Sequence, residues 1–380
     1  MSHTTDYMKR ALALARQALG TTSPNPAVGA VIVKDGAILG EGFTLPPGQS
    51  HAEIVALRNA GESSRGASLY VTLEPCCIYG RTPPCTKAVI AAGIREVHIA
   101  TTDPNPRVNG KGLVELEAAG IEVHRGDGEE EARELYEAFA RHINTGMPFV
   151  TAKFAMSLDG KIATHTGDSK WVTGAPARGY VQEMRRACDA IMVGINTVLR
   201  DNPQLTARDG DGNPLARQPL RVVLDSKART PPDARLLKEP GRTLIAVTQP
   251  TDDRAAFLLK AGAEVLRLPA TREGKVDPCA LLRALGEMGV VSLLVEGGGT
   301  LLGSLFDLGL VDKVEAFVAP VIIGGLSAPS PVGGMGVAAM AQATRIERVR
   351  VERVGEDILV IGYPLTRPTP QEAAVGPRER

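Results

Sequence analysis

The sequence predicts an α/β protein built from two domains. Short β-branched runs that fit buried strands alternate with amphipathic helical stretches twice along the chain. The chain has 380 residues, of which 43% are apolar, and this is enough for two hydrophobic cores. Thr145-Gly146-Met147-Pro148 interrupts the alternation just before a new apolar strand. We therefore place one domain at residues 1–146 and a second at 147–366, followed by a tail at 367–380 whose Pro, Glu and Arg content is typical of disorder.

Each element of the first domain has a local signal. Residues 6–18 carry apolar side chains at helical spacing, and residues 27–33 form a β-branched strand that ends at the Lys34-Asp35-Gly36 turn of a hairpin. The next predicted elements are a helix at 51–60, a strand at 69–73, a helix at 85–92 that Gly93 ends, and a strand at 97–100. Helices and strands then continue to alternate as far as Asn144.

The second domain repeats the alternation without repeating the sequence. Its predicted strands lie at 149–156, 190–193, 220–224, 243–247, 265–268, 292–295 and 314–318. Several of these strands run directly into polar or glycine-rich loops. Ligands of open α/β sheets gather at the carboxyl ends of strands, so these loops are where we expect a binding site.

Composition excludes several classes of function. The formal charges cancel, whereas proteins whose main partner is a nucleic acid usually carry a basic excess. No apolar run reaches the roughly 18 residues of a membrane span, and the start of the chain has no charged-then-apolar signal pattern. Five cysteines are too few for a disulfide framework in a chain of this length. We expect a cytosolic protein that acts on a small molecule, with no membrane partner.

A metal-binding constellation lies near the N-terminus. It consists of His51-Ala52-Glu53, Glu74-Pro75-Cys76, and Cys85 after Gly80-Arg81-Thr82-Pro83-Pro84. One imidazole and two thiols leave the fourth position of a tetrahedral zinc site open, as in catalytic sites. Side chains two apart on a helix diverge by roughly 200°, so His51 and Glu53 serve one site only from the first helical turn. In that position His51 binds the metal, and Glu53 acts as acid and base instead of ligand.

Neighbouring residues give the alternatives. Cys77 adjoins Cys76 and is a second candidate ligand, although we favour Cys76. The start of a helix lowers the pKa of a thiol, and Cys85 follows two prolines that favour such a start. The other histidines have no ligand-like neighbours in sequence and are read as ordinary residues: His3, His98, His124, His142 and His165. Cys188 and Cys279 fall in helical stretches and are read as core residues.

These motifs resemble those of the cytidine-deaminase superfamily, and within it the deaminase of riboflavin biosynthesis. Most of the superfamily has Pro-Cys-x-x-Cys, whereas eight residues separate Cys76 from Cys85 here, including Gly-Arg-Thr-Pro-Pro. The loops at 22–29 and 103–106 also match that deaminase. The resemblance implies a three-layer α/β/α fold, a zinc ion on His51, Cys76 and Cys85, and an amino-pyrimidine substrate. It also implies that Asn25, Asp103 and Asn105 contact this substrate.

Three strand-end loops stand out in the second domain. They are residues 153–161, residues 194–203 and the Glu296-Gly297-Gly298-Gly299 turn. Consecutive glycines at a strand-to-helix turn let backbone N–H groups approach a phosphate, although a tight turn explains them equally well. The spacing differs from the Gly-x-Gly-x-x-Gly of a Rossmann fold.

These loops resemble the reductase of the riboflavin pathway, which has a dihydrofolate-reductase-like fold and uses NADPH. The resemblance implies NADPH contacts from Ala155, Trp171, Thr197, Asp201, Ser226, Gly298, Gly299, Thr300, Leu301, Leu302, Gly303 and Ser304. It implies substrate contacts from Ser169, Arg185, Leu205, Arg208 and Glu296, where either arginine suits a sugar phosphate. Lys153, Asp201 and Glu296 are the candidates for proton transfer, with their individual roles open.

Together the two resemblances imply a bifunctional, homo-oligomeric enzyme that deaminates and then reduces a phosphoribosylaminopyrimidine. One alternative is a nucleic-acid base deaminase with an added binding domain. It would need a basic surface and a short Cys-x-x-Cys, and the chain has neither. The other alternative is a deaminase with a degenerate second domain, against which the reductase motifs argue.

Overall fold

The computed structural model describes residues 5–365, so His3 and the predicted tail at 367–380 lie outside the described residues. The chain separates into two compact units. The first comprises the described residues up to Pro148 together with Gly286–Val291, and the second comprises Phe149–Leu285 and the described residues from Ser292 onward. The sequence analysis places the boundary after Gly146, close to the change of unit after Pro148.

The first unit contains a five-stranded sheet in the order β2-β1-β3-β4-β5. Its strands are β1 (Gly29–Lys34), β2 (Ala37–Phe43), β3 (Ser68–Leu73), β4 (Glu96–Thr101) and β5 (Glu122–Arg125). Its helices are α1 (Asp6–Ala18), α2 (Ala52–Ala60), α3 (Cys85–Ala91), α4 (Lys111–Ala118) and α5 (Glu129–Thr145). The β1–β2 and β1–β3 pairs are antiparallel, and β3, β4 and β5 run parallel. Every element predicted individually for this half is present, with ends within two residues of the expectation.

Helices cover both faces of this sheet. Thr5 is the N-cap residue of helix α1, and its side chain accepts a hydrogen bond from the N–H of Met8. The helix packs so closely on β1 that a Cβ at Gly29 would lie 1.9 Å from the carbonyl oxygen of Ala11. Gly42 pairs with Ala30, so it faces the opposite side, and there a Cβ would lie 2.5 Å from the Ala52 carbonyl of α2. The unit is therefore a three-layer α/β/α sandwich, as the sequence predicts.

The second unit contains a nine-stranded sheet in the order β10-β9-β8-β7-β11-β6-β12-β14-β13. Its strands are β6 (Phe149–Ser157), β7 (Ala190–Gly194), β8 (Leu220–Leu224), β9 (Thr243–Val247), β10 (Glu264–Arg267), β11 (Ser292–Val295), β12 (Lys313–Ala319), β13 (Ile346–Val354) and β14 (Asp357–Pro364). The helices that follow Pro148 are α6 (Ala175–Ala187), α7 (Ile195–Asp201), α8 (Arg235–Lys238), α9 (Asp252–Lys260), α10 (Pro278–Glu287) and α11 (Gly299–Asp307). The strands from β10 to β12 in the sheet run parallel, and β14 is antiparallel to both of its neighbours.

All seven strands predicted for this half are present, with ends within one residue, but the sequence analysis missed β13 and β14. Strand β13 reads IERVRVERV, and its first eight residues are exposed. Charged and apolar residues alternate there without a buried face, so the strand has no strong core pattern. It is held by β14, whose Leu359 and Ile361 pack in the core.

Gly29 allows the close contact between α1 and β1, and substitution tests that contact. Gly29→Ala would drive a methyl group into the α1 backbone, so we expect a loss of about 2 kcal/mol in the free energy of unfolding. Gly179→Ala is the control, because a Cβ at this exposed position of α6 meets open space and alanine favours a helix by about 0.5–1 kcal/mol. Urea unfolding measures both changes. Equal stability of the Gly29→Ala variant and the unsubstituted protein would contradict the packing described.

Candidate active sites

The predicted metal ligands lie at the ends of three different elements and come together at one place. His51 is the N-cap residue of α2, Cys76 lies just beyond β3, and Cys85 is the first residue of α3. The Nδ1 atom of His51 lies 3.7 Å from Sγ of Cys76 and 3.3 Å from Sγ of Cys85. The three ligand atoms all lie within 4.8 Å of one another, and Cys77 is not part of this group. One imidazole nitrogen and two sulfurs are a donor set that fits zinc.

Thr82 fixes the orientation of the His51 ring. The Nε2 atom of the ring lies 3.3 Å from the Thr82 hydroxyl, on the opposite side from the two sulfurs. If Nε2 carries the proton and donates a hydrogen bond to the Thr82 hydroxyl, Nδ1 keeps its lone pair for a metal ion. Thr82 belongs to the Gly-Arg-Thr-Pro-Pro insert, yet sequence reasoning gave it no role, because a supporting contact leaves no spacing signal.

The two thiols share one negative charge. A hydrogen bond from Cys85, helped by His51, lowers the pKa of Cys76 to about 4. The same hydrogen bond, together with burial and Glu53, raises the pKa of Cys85. The backbone N–H of Cys85 also points at Cys76 Sγ, at 3.4 Å. Cys76 is therefore a thiolate ready for a metal ion, and a cation here releases the remaining proton from Cys85.

Glu53 lies beside the ligands but is not one of them. It is only 3% exposed, and its carboxyl group interacts with Cys85. Burial and the charge of Cys76 raise the pKa of Glu53 to about 7, although His51 opposes the rise. A carboxyl group with a pKa near neutrality can both accept and return a proton at physiological pH, and the acid–base role of Glu53 stays a prediction.

A buried carboxylate organises the adjacent loop. Glu74 is 2% exposed. Its two carboxylate oxygens accept hydrogen bonds from the backbone N–H groups of Asp103 (3.0 Å), Gly110 (2.8 Å) and Gly112 (2.8 Å). Asp103 in turn accepts from the N–H of Asn105 at 2.8 Å. In the sequence Glu74 stands out only as part of a motif, whereas in the structure it anchors the loop that carries Asp103 and Asn105.

The predicted substrate contacts of this unit differ in burial. Burial raises the pKa of Asp103 to about 6, and the charges of Glu74 and Cys76 add to that rise. Asn105 is partly buried. Asn25 is partly buried in the loop before β1, where its N–H donates to the Thr22 carbonyl.

The second unit contains a cleft of about 1580 Å³ at the carboxyl ends of β6, β7, β8 and β11. The predicted residues that line it are Lys153, Ala155, Ser169, Trp171, Arg185, Thr197, Asp201, Leu205, Arg208, Ser226, Glu296, Gly298, Gly299, Thr300, Leu301 and Ser304. The structure thus brings together residues that lie more than a hundred positions apart in the sequence. The cleft is large enough for a dinucleotide together with a small substrate.

Leu302 and Gly303 depart from the expectation, because they are not part of the cleft lining. Both are buried within α11, and Leu302 is fully inaccessible to solvent. The glycines here serve close packing: a Cβ at Gly303 would lie 2.4 Å from the backbone of Gly333, and Gly333 donates to the carbonyl of Gly299 at 2.9 Å. Of the three consecutive glycines, Gly298 faces open space as the N-cap residue of α11.

Arg185 and Glu296 form a bidentate ion pair inside the cleft, at 2.6 and 2.9 Å. Arg185 also donates to the carbonyl of Thr206, so its guanidinium already has protein partners, and a substrate phosphate would compete with them. Burial alone would raise the pKa of Glu296, but the positive charges of Arg185 and Lys153 lower it, and the net effect is a lowered pKa. Burial lowers the pKa of Lys153 despite the nearby Glu296.

Other predicted residues occupy the cleft rim. Arg208 donates to the Thr206 hydroxyl at 2.8 Å and to the side chain of Gln204. Trp171 is 71% exposed, with the Arg178 guanidinium 4.9 Å from its ring centre. Asp201 ends α7, and desolvation raises its pKa. The Ser226 hydroxyl accepts from the N–H of Val276 at 2.9 Å.

Two family models match the chain. Residues 1–101 match the cytidine and deoxycytidylate deaminase zinc-binding region, and residues 148–360 match the RibD C-terminal domain. The riboflavin biosynthesis protein RibD of Actinobacillus pleuropneumoniae is 46% identical over 357 residues, which cover 93% of this chain and 94% of that protein. The protein of the same name from Escherichia coli strain K12 is 41% identical over 365 residues, or 93% of this chain and 97% of that protein.

Solved structures agree with the whole length of the fold. Acinetobacter baumannii RibD superposes with a TM-score of 0.81 at 39% identity, covering 94% of this chain and 98% of that one. A diaminohydroxyphosphoribosylaminopyrimidine deaminase/5-amino-6-(5-phosphoribosylamino)uracil reductase from Thermotoga maritima superposes with a TM-score of 0.80 at 39% identity, covering 94% and 97%.

The Arg185–Glu296 pair allows a stability test confined to the second unit. Trp171 is the one tryptophan of the chain, so its fluorescence reports unfolding of this unit. Glu296→Gln leaves Arg185 charged and buried, and we expect a loss of about 3 kcal/mol at pH 7. Because the pKa of Glu296 is lowered in the folded state, this difference is present at neutral pH and is lost as the pH falls through that lowered value.

The exposed pair Arg242–Glu264 provides the control for this measurement. Glu264→Gln breaks a bidentate contact of similar geometry at the surface, and we expect a loss of less than about 1 kcal/mol. If Glu296→Gln and Glu264→Gln lower the free energy of unfolding by the same amount, the Arg185–Glu296 pair does not behave as a buried ion pair.

Proposed function

The chain belongs to the RibD family of riboflavin biosynthesis proteins, and from that premise we propose which of its residues perform each reaction. It is a bifunctional enzyme with a zinc-binding deaminase domain and an NADPH-dependent reductase domain. The convergence of His51, Cys76 and Cys85 beside buried Glu53 is the observation that carries the proposal for the first reaction. The substrate we propose is 2,5-diamino-6-(5-phosphoribosylamino)pyrimidin-4(3H)-one, in keeping with the name of the Thermotoga maritima relative.

In the deamination, His51, Cys76 and Cys85 would hold the zinc ion, which would supply a Lewis acid that lowers the pKa of a water molecule. Glu53 accepts one proton from the attacking water and delivers it to the amino group, which leaves as ammonia. The remaining hydroxyl proton passes to the adjacent ring nitrogen as the ring carbon becomes a carbonyl. The raised pKa of Glu53 suits both transfers. Asp103 and Asn105, held by Glu74, contact the pyrimidine or ribose.

In the reduction, the cleft of the second unit binds NADPH and the deaminated product, 5-amino-6-(5-phosphoribosylamino)uracil. NADPH supplies a hydride for C1 of the opened ribosyl group, which becomes a ribityl group. Lys153 is the side chain we assign to proton transfer during ring opening, because its lowered pKa brings it closer to neutrality. Glu296 and Arg185 position the substrate beside Lys153. Arg208, which contacts the neutral side chains of Thr206 and Gln204, offers a guanidinium for its phosphate.

We also propose that the enzyme is a homo-oligomer that uses the β13 end of its second sheet. Val349 and Val351 are 51% and 65% exposed, and three side chains of the preceding loop are almost fully exposed: Leu326, Met335 and Met340. Exposed apolar surface of this extent indicates a protein partner. Glutamates and arginines are mixed along β13, with Glu347, Arg348, Glu352 and Arg353 near its two ends, so a second copy of the same strand is a partner of complementary charge.

The cytoplasm is the compartment we propose. The cysteines of the described chain are all free, as a reducing compartment favours. In residues 5–365, no helix has both the length and the apolar character that crossing a bilayer requires.

Glu53→Gln separates the two reactions. The variant keeps the shape of the side chain but cannot carry the proton, so we expect ammonia release to fall by about 10²-fold or more while bound zinc stays unchanged. The same variant should still oxidise NADPH at the normal rate when it is given the deaminated compound, and fail when it is given the diaminopyrimidine. Glu62→Gln, at an exposed position near the end of α2, is the control. Normal ammonia release by Glu53→Gln would overturn the assigned proton transfer.

Val351→Glu tests the oligomer. The substitution places a carboxylate in the middle of the proposed apolar interface, where it would lose its hydration, so we expect sedimentation velocity to show dissociation into smaller species. Val114→Glu is the matched control, since Val114 is 64% exposed and belongs to α4 of the first unit. An unchanged sedimentation coefficient for Val351→Glu, or an equal shift for Val114→Glu, would contradict the proposed surface.

A further inference from the structure

A row of aromatic rings crosses the first sheet away from the catalytic residues. Tyr70, His98 and His124 occupy paired positions on β3, β4 and β5. Their rings stack with centroid distances of 4.3 Å and 4.5 Å. Tyr70 also lies 5.2 Å from Tyr7 of α1, so the row is on the α1 face of the sheet, whereas α2 with the metal ligand His51 covers the other face. The proposed deamination makes no use of this row.

A carboxylate completes the group. Glu96 lies two residues before His98 on the same face of β4, and its Oε1 is 3.7 Å from Nε2 of His98. One ligand atom each from Glu96, His98 and His124 lie within 4.8 Å of one another. The Nε2 atom of His98 is buried and has no hydrogen-bond partner. A buried imidazole nitrogen without a partner is costly, and a bound ion would remove that cost.

We propose that Glu96, His98 and His124 form a second metal site that takes a divalent transition ion such as zinc. Two imidazoles and a carboxylate are a donor set for zinc or nickel, and they differ from the imidazole and thiolates of the catalytic site. The Ser68 hydroxyl donates to the Glu96 carboxylate and so orients this ligand from the neighbouring strand. Tyr70 fixes the plane of the His98 ring by stacking on it.

The site must contract when it binds an ion. Bonds of about 2.1 Å place tetrahedral ligands roughly 3.4 Å apart, closer than the widest separation here. His124 must also rotate out of its stack on His98, in which the two rings lie at 19° to each other, before both imidazoles can point at one ion. Its side chain can make that movement, because it is 42% exposed on the edge strand β5. It must exchange its present contact with Glu122, at 3.1 Å, for the ion, and Arg95 competes for Glu96 at 3.0 Å. An ion held in this way would tie the edge strand to β4 and raise the stability of the first unit.

Zinc stoichiometry tests the proposal on the full chain. After equilibrium dialysis against buffered zinc, the unsubstituted protein should hold two ions per chain by elemental analysis. His98→Gln and His124→Gln should each hold one, and His165→Gln, which changes an exposed histidine of the second unit, should hold two. Cobalt distinguishes the sites by spectroscopy, since a thiolate-to-cobalt charge-transfer band arises only from the site with Cys76 and Cys85.

The outcomes separate this site from the catalytic one. We expect His124→Gln to keep the full charge-transfer band and to lose the second equivalent of cobalt. In the unsubstituted protein, zinc beyond the first equivalent should raise the melting temperature by a few degrees, and this rise should be absent in His124→Gln. A single zinc ion per chain in the unsubstituted protein, or two ions in both glutamine variants, would overturn the proposal.

Discussion

The convergence of one imidazole and two thiols at the end of β3 is the constraint on which the first unit depends. Helices α2 and α3 both begin there, so His51 as an N-cap residue and Cys85 as a first helical residue point at Cys76 from two sides. Without a cation, the hydrogen bond between the two thiols shifts their pKa values in opposite directions: the pKa of Cys76 falls and that of Cys85 rises. A bound cation relieves this conflict, so metal binding and catalytic readiness have the same cause.

The two candidate sites use burial in different ways. In the deaminase unit, burial holds the pKa of Glu53 near 7, so that one carboxyl group both takes and gives a proton. In the reductase unit, Arg185 keeps Glu296 ionised in spite of burial, so the carboxylate is a fixed charge that positions its neighbours. Burial instead lowers the pKa of Lys153, the neighbour to which we assign proton transfer. Each unit thus has one group whose pKa is shifted toward neutrality by burial, and neighbouring side chains that hold this group in place.

Sequence reasoning reached most of the fold and the ligand sets, because buried strands and metal ligands leave strong local patterns. It failed where a role depends on contacts between distant residues. Glu96 and His98 lie two residues apart on β4, but only the register of β4 with β5 brings His124 to them. Strand β13 has no buried face of its own to produce a pattern. The glycines of α11 suggested a phosphate turn, but Gly303 is required by the approach of Gly333, which the sequence does not reveal.

The two units together imply two consecutive reactions on one chain, and mass spectrometry of the products tests this conclusion. The unsubstituted enzyme is given the diaminopyrimidine, first without and then with NADPH. Without NADPH, the product should be the deaminated phosphoribosyl compound alone; with NADPH, it should be the ribityl compound, two hydrogens heavier. Reduction of the diaminopyrimidine before any ammonia is released, or no reduction at all, would contradict the roles assigned to the two sites.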